Sequence, residues 1–427
     1  MKDIIKEVVK TYPSGLRMIV RPMPGFKSVA TSIMVGAGSR DEEADEHGLS
    51  HFVEHMLFKG TTTRTCAEIA GTLSGLGVDY NAYTSTNVTC YHTKGLAGNL
   101  DTCCDILSDM YFNLKFATDD FTREKEVVVQ EIAMREDHPR LSLGELCAKT
   151  FFEGTEYGHS IAGTIESVRS FNPQHIYNYR AKHYIAPKTV ISFAGDVTRE
   201  QAEGMVAKYF LPKFEQMRKP STRNLDANRK IVPPQAFVTK EKDTEQQNVA
   251  ILFPAMNNFN DDRYVMTFIA HILSGDMSSR LFSSVRDKLG LVYSISGGCS
   301  LTHLGGYYFI YFSCTPDNTK KVLSTIAEEV ARIKASGVME EEVTKVKNIK
   351  KADMLFESES VESVNQRNAT LLSEFNEIQS VEEYLEKINA VTGAQIKAAA
   401  KKYLNFQNAI VAIVGKDIAV KPFDILV

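Results

Sequence analysis

The chain has 427 residues, too many for one ordinary core, and its 43% apolar and 24% charged content is that of a globular protein of about two to four domains. A net charge of −4 offers no basic face for nucleic acid. No run approaches the roughly 18 uncharged apolar residues of a membrane span, and Met1–Lys10 alternates charges without the apolar stretch of a signal peptide. Seven cysteines, odd in number and scattered with no C-x-x-C, read as reduced thiols and predict a cytoplasmic protein. Cys103-Cys104 reads as two helix residues.

In chain order, Ser28–Gly36 is a strand-like run, and Gly48–Gly60 is the first informative helix. There Leu49, Phe52, Val53, Met56 and Leu57 follow the spacing of one buried face. His51 and His55 are four residues apart, so they leave the helix on one side, one turn apart. That is the spacing with which two imidazoles grip one zinc ion. Glu54 stands beside them, where a carboxylate reaches a water on the metal without ligating it. The order H-x-x-E-H inverts the commoner H-E-x-x-H. A zinc hydrolase needs a third protein ligand and an open fourth position. The helical stretch Asp120–Arg135 carries Glu124 and Glu131, seven apart and therefore on one face. Spacing alone leaves both as candidates.

Thr189–Asp196 reads as a further strand, and 212–234, with its prolines and charges, as a linker. Past it the order of the first half recurs. Gln247–Phe253 is strand-like, Phe268–Leu273 resembles Phe52–Leu57 at an offset of 216 residues, and Ala409–Asp417 matches the late strand of the first half. The recurrence predicts two duplicated domains, 1–211 and 235–427. Each mixes runs of strands with runs of helices, an α+β fold of helices on a mostly antiparallel sheet. At the second copy, Thr267 and Ala270 stand where His51 and Glu54 stand in the first. Only His271 remains, and Lys345, Lys347, Lys350 and Lys351 crowd the counterpart of Glu131. The second domain is therefore expected to be metal-free, with His271 a packing residue. Gly297-Gly298 and Gly305-Gly306 lack a G-x-x-x-x-G-K-S/T pattern and read as a glycine-flexed turn. Tyr307–Phe312 reads as a core strand rather than a base-stacking platform, and the helices Ile326–Lys334 and Val381–Leu404 as carrying solvated faces.

From His51 to Thr61 the run HFVEHMLFKGT closely resembles the signature of the pitrilysin-like M16 metallopeptidases. That family includes short bacterial subunits, the mitochondrial processing peptidase β subunit and insulin-degrading enzyme. The resemblance implies Glu131, 76 residues after His55, as the third zinc ligand, with Glu124 supporting the site without binding metal. Asn81-Ala82-Tyr83-Thr84 resembles the edge strand with which the family pairs the substrate backbone, making Asn81, Ala82 and Tyr83 substrate-binding residues. Ser279–Ser294 resembles the family's Arg/Tyr element. Arg286 and Tyr293 fall on its two functional positions, to hold a substrate carbonyl and donate to the developing oxyanion.

The resemblance spans essentially the whole chain. It implies a zinc-dependent endopeptidase for small or unfolded peptides, with one Zn2+ per chain and Glu54 as general base on the zinc-bound water. It also implies half of a clamshell completed as a homodimer, or as a heterodimer with a related subunit. The competing reading is a partner-dependent or non-catalytic peptide-binding subunit of a heterodimeric M16 complex.

Overall fold

Along Ser28–Val35 alternate side chains serve opposite faces. Val29, Ile33 and Val35 join one apolar cluster, while Ala30 and Met34 join clusters on the other side. A strand buried on both faces must be covered by helices on both, and this requirement organises the molecule. The computed structural model describes residues 7–215, 231 and 233–427, and the expected α+β architecture is present in it.

The first sheet contains β1 (Val8–Thr11), β2 (Arg17–Pro22), β3 (Ser28–Val35), β4 (Asp79–Thr84), β5 (Thr89–Leu96) and β6 (Thr189–Gly195), in the order β1-β2-β6-β3-β5-β4. Only β2 and β6 run parallel; the other neighbours are antiparallel. Ile33 lies opposite Tyr91 on one side and Ile191 on the other. One face carries the main core, built with helices Leu49–Leu57, Leu100–Phe112 and Pro173–His183. The other face is covered by helix Val361–Phe375, whose Ala369 and Leu372 pack on Ile19, Met34 and Val190. Asn365 of that helix is buried and fully engaged. Its amide nitrogen donates to the Ala30 carbonyl and to Ser192 Oγ, each at 3.1 Å, and its oxygen pairs with the Ser32 hydroxyl. Strand β4 is an edge, paired only with β5 among the described residues.

The second sheet contains β7 (Ala236–Glu241), β8 (Gln247–Ala255), β9 (Ile295–Leu301), β10 (Gly306–Cys314) and β11 (Ile410–Gly415), in the order β7-β11-β8-β10-β9. Helices Asp262–Ser274, Pro316–Ser336 and Gly393–Tyr403 build the core on one face. Helix Pro139–Phe151 covers the other, setting Leu143, Cys147 and Phe151 against Ala250, Leu252, Ile410 and Ala412.

The compact units therefore do not follow the contiguous ranges 1–211 and 235–427. One comprises the described residues of Met1–Ala133, His159–Arg223 and Leu355–Gln379. The other comprises those of Met134–Gly158, Asn224–Met354 and Ser380–Val427. Each half of the chain contributes the helix that closes the outer face of the other half's sheet. Of the expected linker 212–234, most lies outside the described residues. Its start does not behave as linker: Leu211–Phe214 is a helical turn, and Phe214 is buried against Tyr111 and Phe112.

Two smaller expectations need correction. Val381–Leu404 is two helices, Val381–Asn389 and Gly393–Tyr403. The second begins with a reciprocal cap: Thr392 Oγ1 accepts from Gln395 N, and the Gln395 side chain accepts from Thr392 N. Gly297-Gly298 lies inside β9 rather than in a turn. A Cβ on Gly297 would stand 2.2 Å from Ser274 Oγ and 2.6 Å from the Phe309 carbonyl, so only glycine lets helix and strand approach there. The turn is Thr302–Gly305, closed by Thr302 N donating to Gly305 O at 2.8 Å. Tyr307–Phe312 is core strand, within β10. The seven cysteines are free, with Cys66 and Cys299 exposed and the rest buried, and no helix among the described residues is long and apolar enough to cross a membrane.

Candidate metal centre

Helix Leu49–Leu57 buries Leu49, Phe52, Val53, Met56 and Leu57 completely, which turns His51, Glu54 and His55 to its half-open side. Helix Thr118–Asp137 lies against it and buries Phe121, Glu124, Val128 and Val129. The Phe52 and Phe121 rings meet edge to face at 5.4 Å and tie the two helices together. Lys125 anchors the second helix through the carbonyls of Arg169 and Phe171.

The two glutamates left open by spacing have different places. Glu131 Oε2 lies 3.6 Å from His51 Nε2 and 3.7 Å from His55 Nε2, and the two imidazole nitrogens are 3.3 Å apart. These three residues offer donor atoms all within 4.8 Å of one another. Glu124 stands behind them. Its Oε1 accepts from His55 Nδ1 at 2.8 Å, and its Oε2 pairs with Lys59 Nζ at 2.5 Å. A carboxylate on Nδ1 fixes the ring so that Nε2 faces the cluster, the usual support for a metal-binding imidazole.

The donor set fits a zinc ion. Tetrahedral bonds of about 2.0–2.1 Å require donors roughly 3.3–3.4 Å apart, close to the separations here. Two imidazoles and one carboxylate leave a fourth position open, as hydrolytic sites do. The surroundings are negative, because Glu54, Glu124 and Glu131 gather around two imidazoles and one lysine. Burial pulls the His55 pKa down, but the hydrogen bond and charge of Glu124, with Glu54 and Glu131, outweigh it and hold the pKa above the ordinary value. Burial raises Glu124, yet His55 and Lys59 more than offset it and hold the carboxyl below its usual range. A site that favours positive charge on its own imidazole also favours a bound cation.

Glu54 is pushed up, first by burial and then by the charge of Glu131, against the lowering effects of Thr84 and His55. Thr84 Oγ1 donates to Glu54 Oε2 at 2.5 Å. Thr84 closes β4, so the edge strand reaches the carboxylate directly. The other residues of that strand alternate. Tyr83 donates from its hydroxyl to Gln366 Oε1 at 2.9 Å on one face, while Tyr80 and Ala82 pack into the core on the other. Asn81 Oδ1 accepts from the Ala82 N–H at 2.8 Å.

Arg286 and Tyr293 belong to the other unit. Arg286 lies in a π-helical turn, Phe282–Lys288, with its guanidinium 4.6 Å from the Phe282 ring centre and 5.4 Å from that of Tyr293. Tyr293 is 78% exposed. Thr84 and Lys59 are the contributors that motif spacing missed. Lys59 alone had a local signal, standing four residues after His55 on the same face.

Residues 17–165 match the family "Insulinase (Peptidase family M16)", and 170–350 match "Peptidase M16 inactive domain". The "uncharacterized zinc protease YmxG" of Bacillus subtilis is 30% identical over 408 residues, covering 94% of this chain and 97% of its own. A similarly described protein of Rickettsia felis is 31% identical over 390 residues, 91% of this chain and 93% of its own. Among solved structures, a peptidase M16 inactive domain from Pseudomonas fluorescens superimposes with a TM-score of 0.88 at 19% identity, covering 98% of this chain and 99% of that one. A protease from Helicobacter pylori gives 0.88 at 20%, covering 96% and 100%. Taken with the two-sheet fold and the inverted histidine motif, these likenesses make the chain a member of peptidase family M16.

Proposed function

We propose that this chain is a zinc-dependent endopeptidase acting on small or unfolded peptides. The observation that carries the reading is the convergence of His51 Nε2, His55 Nε2 and Glu131 Oε2 beside a Glu54 carboxylate tied to an edge strand. When bound, zinc polarises a carbonyl and lowers the pKa of water at the site toward about 7. Glu54 accepts the proton of the attacking water and passes it to the leaving amine, a role suited to a carboxyl raised by burial. Thr84 holds one carboxylate oxygen and leaves the other for the proton. An extended peptide adds to β4 through main-chain hydrogen bonds, its carbonyl replacing Asn81 on the Ala82 N–H. In a cytoplasmic homodimer, Arg286 and the exposed Tyr293 of a second copy bring a guanidinium and a phenol for the substrate carbonyl and its oxyanion.

The test is metal content, cleavage of a quenched-fluorescent peptide library and size by light scattering, on wild type and Glu54→Gln. One zinc per chain, a dimer, and a kcat about 10²–10⁴-fold lower in Glu54→Gln with zinc retained are expected. A Glu54→Gln chain that cleaves like wild type removes the role given to Glu54. A zinc-loaded dimer without cleavage points to a missing related subunit, and a chain that takes no zinc overturns the reading.

A further inference from the structure

His51 stands in the first turn of its helix, where main-chain N–H groups lack helical partners and the backbone frays first. The residue that should cap this turn is Gly48, which has no side chain to do so. No larger residue fits: its φ is 94°, and a Cβ there would stand 2.6 Å from the Ala162 carbonyl oxygen and 2.8 Å from Gly163 Cα. The serine, threonine or aspartate that ordinarily caps a helix is excluded where it is needed.

Glu42, on the preceding segment, fills the gap. Its Oε2 accepts from Gly48 N at 2.8 Å and its Oε1 from Ser50 N at 2.7 Å, and its side chain is wholly inaccessible to solvent. His159 Nε2 secures it, lying 3.2 Å from Glu42 Oε2 and 2.8 Å from the Ser39 carbonyl. The His159 ring stacks on His47 at 3.9 Å, nearly parallel, and the His47 carbonyl accepts from Ser167 Oγ at 2.7 Å.

We infer that Glu42, held by His159, is a positioning residue for the metal centre, an imported cap that fixes the helical turn bearing His51. The completely buried apolar face of the helix keeps it docked without the cap, so loss of Glu42 loosens the turn that aims His51 Nε2 while the helix stays in place. This inference rests on the zinc reading given above.

The experiment titrates zinc into metal-free protein against a chromophoric chelator, for wild type, Glu42→Gln and His159→Phe. Far-ultraviolet circular dichroism at the same temperature verifies folding. The glutamine cannot accept from both N–H groups, and the phenylalanine keeps the stack on His47 but loses the donor. The expected result is zinc affinity about 10–100-fold lower for Glu42→Gln, the range for loss of a supporting group behind a ligand, with a smaller loss for His159→Phe and wild-type secondary structure in both. Active protein at saturating zinc should show reduced kcat with little change in KM. Folded Glu42→Gln with wild-type zinc affinity overturns the inference, even if its Tm falls, because the cap would then serve stability alone. If Glu42→Gln does not fold, His159→Phe decides by the same criterion. Failure of wild type to bind zinc removes the metal reading itself, a result separable from any difference between variants.

Discussion

Helices Leu49–Leu57 and Asp262–Ser274 occupy equivalent places on their sheets, yet only the first carries a metal constellation. Where His51 stands in one, Thr267 in the other turns its hydroxyl back to the Arg263 carbonyl at 3.0 Å. His271 keeps the place of His55, but its Nδ1 is buried with no hydrogen-bond partner among the described residues, packed against Gly275. Burial, then the charge of Lys350, lowers its pKa, the reverse of His55. Lys345 and Lys350 are paired with Asp276 and Asp353. The same backbone thus supports opposite electrostatics. Three carboxylates surround the two imidazoles of the first helix, whereas the single imidazole of the second has lysines, each paired with an aspartate, as its charged neighbours. The helix and sheet belong to the fold, and the site belongs to the charges placed on it.

The sharpest break of this comparison is paired removal of the two histidines. His55→Ala should abolish stoichiometric zinc and all cleavage, while His271→Ala should leave both unchanged, as read by metal analysis after dialysis. Zinc lost from His271→Ala would mean that the second unit takes part in metal binding.

Next in size is Glu124→Gln, expected to weaken zinc binding about 10–100-fold. Its pH dependence sharpens the contrast. Because His55 in the metal-free protein titrates above the ordinary value of about 6.5, protons compete with zinc as pH falls through that raised value. Zinc affinity should decline there, and the decline should begin at lower pH in Glu124→Gln. Without metal, the raised pKa contributes stability fully present below the unfolded value and lost as pH rises through the folded one. The Tm deficit of metal-free Glu124→Gln should therefore be larger on the acid side of the His55 titration than on the alkaline side. A deficit that grows with pH would show that Glu124 does not charge His55.

The expected effect confined to turnover is that of Thr84→Val, which removes one hydrogen bond to a carboxylate and nothing from the metal. A bond to a charged group is worth about 1.5–3 kcal/mol, so kcat should fall about tenfold or more with zinc content intact. Thr84→Ser should recover most of the loss. Unchanged kcat in Thr84→Val would show that the edge strand does not orient Glu54.

The H-x-x-E-H face was legible in the sequence because helical periodicity is local: four residues make a turn whatever surrounds them. The duplicated strand order and the loss of ligands in the second copy were equally legible, being patterns of residue identity. Tertiary structure alone decided what depends on distant segments meeting. Glu124 and Glu131 share one face at any spacing argument, and only the docking of their helix sets one on His55 Nδ1 and the other at the paired Nε2 atoms. The compact units depart from the ranges 1–211 and 235–427 at helices Pro139–Phe151 and Val361–Phe375 because an apolar helix face does not say which sheet it will cover. Thr84 and Glu42 could not be found from spacing either. A hydroxyl 30 residues from Glu54 and a carboxylate capping a glycine-started helix acquire their roles only when the chain brings them within hydrogen-bond reach.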